Sequence, residues 1–264
     1  MFYRRVTGRR IDAVRQQIED WGFDEDAAAC LIAPLLYQAC WLANTSGVFK
    51  GFHAGWGGAN GTALHRILAD LELQPLRFHD NGRRHRVLAV DAASLGAHLD
   101  VEADVAYLDP PYNQHPNASN YHVLNSLVLW DQPELPPPTA RGFKAASRPD
   151  WKERRSAFNG RGTALAAFAS VMKTLPARHV LISYSTDGMI PLEQLVTEAA
   201  EHGALRTFHR SYKRYRTSPT RPSPRPRNLE FVLHVDRGAR RRRADTRAAL
   251  QQLEAAAAER YHCL

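Results

Sequence analysis

Asp109, Pro110, Pro111 and Tyr112 follow directly on the apolar run Val105-Ala106-Tyr107-Leu108. A carboxylate, two prolines and an aromatic ring are thus gathered at the end of an expected strand. Consecutive prolines fix φ and remove two N–H donors, which leaves backbone carbonyls free to accept from a ligand. In an open α/β sheet, ligands bind beyond the carboxyl ends of strands, and that is where this tetrapeptide falls. The chemistry that fits is activation of the exocyclic amine of a nucleobase. Such an amine is a poor nucleophile because its lone pair is delocalised into the ring. A carboxylate and a carbonyl accepting its two hydrogens hold the nitrogen toward tetrahedral geometry for attack on a methyl sulfonium. Tyr112 offers a stacking face to a base taken out of the duplex. No general base is compulsory, since the methylated ammonium sheds its proton easily. Four residues alone also fit an ordinary strand-ending turn, so the surroundings decide.

Those surroundings are the run Tyr107 to His115 (YLDPPYNQH) and the run Asn120 to Asn125 (NYHVLN). With them go Ala157-Phe158-Asn159 before a helix, Leu181 to Pro191 (LISYSTDGMIP), and Tyr212 to Tyr215 (YKRY). Upstream, Arg10 to Arg15 (RIDAVR) and Asn44 to Phe49 (NTSGVF) complete the series. In this order the motifs closely resemble the Dam-like (DPPY-motif) DNA adenine-specific methyltransferase family, over about Arg10 to Val235. The resemblance implies an α/β class I (Rossmann-like) methyltransferase sheet, S-adenosylmethionine as methyl donor and adenine in DNA as acceptor. It also implies a site-specific modification enzyme of the restriction-modification kind.

Carried over residue by residue, the resemblance makes Asp109 and the Pro110 carbonyl the holders of the target amine, with Pro111 completing the turn. Tyr112 becomes the ring that stacks on the flipped base. Asp91 matches the acidic position that contacts the cofactor's adenine, although an aspartate there equally caps the helical turn from Ala92 to Leu99. Asp109 borders the cofactor as well. Asn120 and Tyr121, together with the basic residues Lys213, Arg214 and Arg216, match segments near the DNA, although surface charge alone explains the basic ones almost as well. His115 and His122 have no required part.

One part of the family pattern is missing. Such enzymes begin with a strand that ends in a Phe-x-Gly-x-Gly turn, and nothing like it precedes Arg10. A literal match at Phe158-Asn159-Gly160-Arg161-Gly162 follows the charged stretch Arg148 to Arg155, which cannot be a buried strand. The expectation is a sheet incomplete at its N-terminal strands. A late start codon, a separate chain or upstream segment supplying the missing strands, and a degraded remnant all remain open. So does a second function, that of a non-catalytic DNA-binding remnant.

The elements that must position these residues are legible from periodicity. Ile11, Val14, Ile18 and Trp21 share a helical face, and a more apolar helix is expected from about Asp26 to Ala43. A glycine-rich loop with interleaved aromatics, Gly47 to Gly61, precedes a short helix over Ala63 to Leu71. Its glycines fit loop packing under aromatic rings better than phosphate binding, since no lysine-serine ending follows. From Arg86 the pattern changes to short apolar runs between helices. Buried strands are expected at Val87 to Val90, Val105 to Leu108 and Val180 to Tyr184, then at Leu205 to Tyr212 and Asn228 to Val235. Helices are expected over Tyr121 to Trp130, Thr163 to Thr174, Pro191 to His202 and Ala244 to Arg260. Three regions follow: 1–85 helical and glycine-rich, 86–236 the α/β catalytic region, 237–264 a basic C-terminal helix.

Composition agrees with a DNA partner. With 264 residues, 44% hydrophobic and 23% charged, the chain can bury a core. Its net charge is +8 and its pI is about 9.7. Eight Lys or Arg and no acid lie between Arg206 and Arg227, and six arginines between Arg237 and Arg247. Such clusters suit a polyanion through counterion release, though the Arg240 to Arg243 run fits a solvated surface equally well. Cys30, Cys40 and Cys263 have neither disulfide nor metal-ligand spacing. No run suits a membrane span or a signal peptide, so a cytoplasmic protein without metal is expected.

Overall fold

The structure, a computed structural model, describes residues 1–58, 60–134, 153–213 and 227–259. The chain forms two compact units, one of residues 1–86 and 115–155, the other of 87–114 and 156–264. The stretch after His115 therefore groups with the N-terminal helices, while the C-terminal helix groups with the sheet.

The first unit is helical. Helix α1 (Arg5–Trp21) presents Ile11 and Ile18 to the interior and stops at Gly22, whose φ of 61° allows the left-handed C-cap. Helix α2 (Glu25–Trp41) starts where the Asp24 side chain accepts from the Ala27 N–H at 2.9 Å. Among the described residues the unit also holds the short helices α3 (Leu64–Leu68), α4 (Asn117–Asn120) and α5 (His122–Leu129). Ile11, Ile18, Ile32, Leu35, Ala39 and Leu127 form its core. Arg15 is buried on the same face of α1 as Ile11 and Ile18. Its charge is tolerated because Nε donates to the Leu127 carbonyl at 2.7 Å and Nη1 pairs with Glu19 at 2.9 Å. The guanidinium also lies 5.0 Å from the centre of the Trp130 ring.

The second unit is an α/β sheet in the order β1-β2-β4-β3. Strand β1 (Ala103–Leu108) pairs parallel with β2 (Ala177–Ser185), which pairs antiparallel with β4 (Arg227–Asp236); β3 (Ala204–Lys213) closes the other side of β4, antiparallel to it. Helix α6 (Ala164–Thr174) precedes β2, α7 (Leu192–Ala200) joins β2 to β3, and α8 (Arg243–Glu259) follows β4. Alternation along the strands sends Val180, Ile182 and Tyr184 of β2 and Leu229, Phe231, Leu233 and Val235 of β4 into one core. Phe168, Met172, Leu195 and Leu253 meet them from the helices. Truncating a fully buried member such as Leu233 to alanine costs about 2–5 kcal/mol.

Two strand expectations are corrected. Val87 to Val90 forms no strand, and Val87 is 95% exposed. A short strand is stabilised only by ladder bonds to a neighbour, and among the described residues none lies beside it. β1 is present but half-exposed rather than buried: Ala106 and Leu108 face the core, while Val105 and Tyr107 are 55% and 60% exposed. The β1 edge away from β2 has no strand partner among the described residues.

Candidate active site

Leu108 is the last β1 residue in register with β2, opposite Ile182. Asp109 therefore leaves the sheet at the end where β2 finishes in Tyr184 and Ser185, and where Glu230 of β4 lies opposite Ser185. The parallel β1–β2 pair puts both carboxyl ends on this side. The Tyr112 ring meets the buried Tyr184 ring edge to face, with centroids 6.2 Å apart and planes at 81°. Tyr112 is nevertheless 39% exposed. Partial burial, then the carboxylates of Glu230 and Asp109, raise the pKa of its phenol. The hydroxyl accordingly stays protonated at neutral pH.

Polar side chains fix this end of the sheet. Asn228 donates to Ser185 Oγ at 2.5 Å and Thr186 Oγ1 donates to Asn228 Oδ1 at 3.0 Å. Behind the loop, the buried Asn159 donates from Nδ2 to the Asn113 carbonyl at 2.9 Å. That carbonyl belongs to the residue after Tyr112, so the tetrapeptide is held at both ends, by the β1 ladder and by one buried amide. Asn159 ends a 3₁₀ turn, Ala157–Asn159, begun by Ser156 Oγ accepting from the Phe158 N–H. Gly160 and Gly162 thus lie between this turn and α6 and follow no strand among the described residues.

Asp91 lies in the same unit and acts as a cap: its side chain accepts from the Ala93 N–H at 2.8 Å at the start of the 3₁₀ helix Ala92–His98. That helix is seated on α6. A Cβ on Gly96 would come within 2.3 Å of the Thr174 carbonyl oxygen, so only glycine allows the approach. Asn120 and Tyr121 belong to the other unit, at the end of α4, where the Asn120 carbonyl accepts from the Phe49 N–H at 2.6 Å. The glycine-rich loop is organised there by the buried Asn44, which donates to the carbonyls of Met1, His53 and Gly55 and accepts from the Gly57 N–H. Lys50 of this loop reaches His115 Nδ1 at 2.7 Å. Lys213 is the last residue of β3, while Arg214 and Arg216 fall outside the described residues, as does Cys263.

Sequence reasoning missed Glu230, Tyr184, Asn159 and Lys50. Glu230 reads as a solvent-facing charge on a strand, and only the β2–β4 register places it beside Ser185. Asn159 was visible in a family-like stretch, but its partner 46 residues away was not. Among the described residues no cluster of His, Cys, Asp or Glu could hold a metal, and no helix is long and apolar enough to cross a membrane.

A model of the D12 class of N6 adenine-specific DNA methyltransferases matches residues 1–140, which include Asp109 to Tyr112. Type II methyltransferase M.NlaIII of Neisseria lactamica is 28% identical over 239 residues, covering 89% of this chain and 66% of that protein. Modification methylase StsI of Streptococcus sanguinis is 27% identical, covering 87% of this chain and 33% of that protein. Type II methyltransferase M.FokI of Planomicrobium okeanokoites is 26% identical, with 89% and 35% covered. The chain therefore spans about two thirds of the first relative and about a third of the other two. No solved structure matches significantly. The open α/β sheet agrees with a class I S-adenosylmethionine-dependent methyltransferase fold, and with the family model matching more than half of its residues the chain belongs to the D12 class of N6 adenine-specific DNA methyltransferases.

Proposed function

We propose that this chain carries the catalytic half of a site-specific DNA adenine methyltransferase, which moves a methyl group from S-adenosylmethionine to the N6 amine of adenine. The observation that carries the proposal is the placement of Asp109 to Tyr112 beyond the carboxyl end of β1, with the Tyr112 ring half-exposed and backed by Tyr184. Asp109 accepts one amine hydrogen and the Pro110 carbonyl the other, which turns the nitrogen lone pair out of conjugation. Tyr112 stacks on the extruded base, an interaction of about 1–3 kcal/mol. Asp109, helped by Glu230, keeps the site negative, and this favours an amine that gains positive charge as it reacts.

S-adenosylmethionine supplies the electrophilic methyl group when bound. The donor set fits it: Asp91 and Asp109 are acceptors, and the cofactor presents an ammonium, ribose hydroxyls and an adenine amine, all donors. Asp91 can serve while capping its 3₁₀ helix, because a carboxylate has about four acceptor positions. On the DNA side, Lys213, Arg214 and Arg216 contact phosphates, and Asn120 and Tyr121 lie near the duplex. A modification enzyme of this kind works in the cytoplasm, where DNA and cofactor are available.

The unpaired β1 edge, on a strand whose Val105 and Tyr107 are open to solvent, supports a further element of the proposal. Additional polypeptide, upstream in the same protein or in a separate chain, pairs with this edge and brings the Phe-x-Gly-x-Gly turn. Calorimetric titration with S-adenosylmethionine, followed by transfer of its tritium-labelled methyl group to duplex DNA, tests the whole. The chain complemented by such a segment should bind cofactor and yield labelled N6-methyladenine. DNA binding without either result would establish the non-catalytic alternative instead.

A further inference from the structure

We propose that Tyr184 is a positioning residue for Tyr112, and that Gly188 is glycine in order to seat it. The proposal rests on the methyltransferase reading for its catalytic consequence, but its geometry stands alone. Tyr184 is 2% exposed, at the end of β2. Its phenol oxygen accepts from the Ile190 N–H at 3.0 Å, which satisfies a polar atom that burial would otherwise penalise. Burial raises its pKa, and the backbone donors of Ile190 and Met189 partly offset the rise.

The ring is confined on three sides. Phe231 packs at 6.3 Å and 62°, and Tyr112 stands against it at 6.2 Å and 81°. On the third side is Gly188, where an added Cβ would fall 2.1 Å from Cε1 and 2.5 Å from Cζ of Tyr184. The backbone at Gly188 does not have positive φ, so conformation does not demand glycine there. Space for the Tyr184 ring does. A methyl group at position 188 has to drive the ring away, and the Tyr112 contact shifts with it.

The consequence is orientation. A half-exposed tyrosine on a loop has two rotatable side-chain bonds, and one edge-to-face contact selects the rotamer that offers the free face of Tyr112 to a base. Gly188, Tyr184 and Tyr112 form a chain of contacts from the core to the stacking surface, within one unit of the protein.

The test labels the full chain with 3-fluorotyrosine and assigns the Tyr112 resonance by Tyr112→Phe. Tyr184→Phe keeps the ring and loses only the oxygen, so the Tyr112 signal should stay in place even though the Ile190 N–H loses its acceptor. Tyr184→Leu and Gly188→Ala should both move or broaden that signal. In methylation assays on the complemented chain, the same two variants should lower kcat about three- to tenfold. KM for DNA should change less than about twofold, and Tyr184→Phe should match wild type. An unmoved Tyr112 signal in both Tyr184→Leu and Gly188→Ala overturns the proposal, as does a moved signal with kcat intact. Should wild type methylate nothing, the functional reading fails, and the fluorine spectra still decide whether Tyr184 orients Tyr112.

Discussion

The buried amide of Asn159 donates to the Asn113 carbonyl at 2.9 Å, tying the turn that leads into α6 to the loop that leaves β1. One side chain thus links the residue after Tyr112 to the core. Asn159→Ala leaves that carbonyl without this donor and should cost about 1–3 kcal/mol of stability. Asn159→Asp has nearly the same volume but presents oxygens to an oxygen, so it should destabilise at least as much. Urea denaturation of both variants checks this, and a wild-type midpoint for Asn159→Asp would count against the tie.

Gly57 and Gly51 belong to the same glycine-rich loop and should answer differently to alanine. Gly57 has φ of +84°, and a Cβ there would lie 2.8 Å from the Leu64 nitrogen; at Gly51 an added Cβ meets nothing within 4 Å. Gly57→Ala is expected to lose about 1–3 kcal/mol, Gly51→Ala less than about 0.5 kcal/mol. Equal midpoints in parallel melts would show that the Gly57 turn is not strained by a side chain.

His115 should titrate below the ordinary histidine value. Partial burial and then the nearby Lys50 ammonium both lower its pKa from 6.5. The protonated form is disfavoured in the folded state, so the histidine's contribution to stability is whole above about pH 6.5 and is lost as pH falls below it. Lys50→Met should raise the midpoint of the His115 ring followed by NMR. An unchanged midpoint would mean that Lys50 does not act on this imidazole.

The basic segment that begins at Lys213 should govern the salt dependence of DNA binding. Replacing Lys213, Arg214 and Arg216 with glutamine should remove up to three of the proposed phosphate contacts, each worth about 0.9 of log-log slope. Fluorescence anisotropy across a salt series measures the slope, and an unaltered value would return these residues to the solvated surface.

Much of the frame was legible in the sequence. Four of the five expected strands form, and Asp109 sits at the end of β1, because period-two burial writes itself into runs such as Val180 to Tyr184. Val87 to Val90 has the composition of a strand, yet composition carries no information on whether a neighbour is there to pair with it. Arg15 stands in the sequence only as the end of the family-like stretch Arg10 to Arg15; its burial depends on carbonyls 112 and 113 residues away. The Asp91 alternatives were both visible, and the hydrogen bond to the Ala93 N–H establishes the cap without bearing on the cofactor. Tyr184 lies in the family-like stretch Leu181 to Pro191, but only ring geometry sets it against Tyr112, and only strand register brings Glu230 beside Ser185.

The most direct test of the central claim is the N6-methyladenine content of DNA, measured by mass spectrometry in cells expressing the locus with Asp109 intact or changed to alanine. Asp109→Ala leaves the scaffold but removes the carboxylate to which the proposal gives the target amine. Methylated adenine at a defined site with Asp109, and its loss with Asp109→Ala at equal protein level, is the result expected. The same methyladenine content in both strains would contradict the assignment of catalysis to this tetrapeptide.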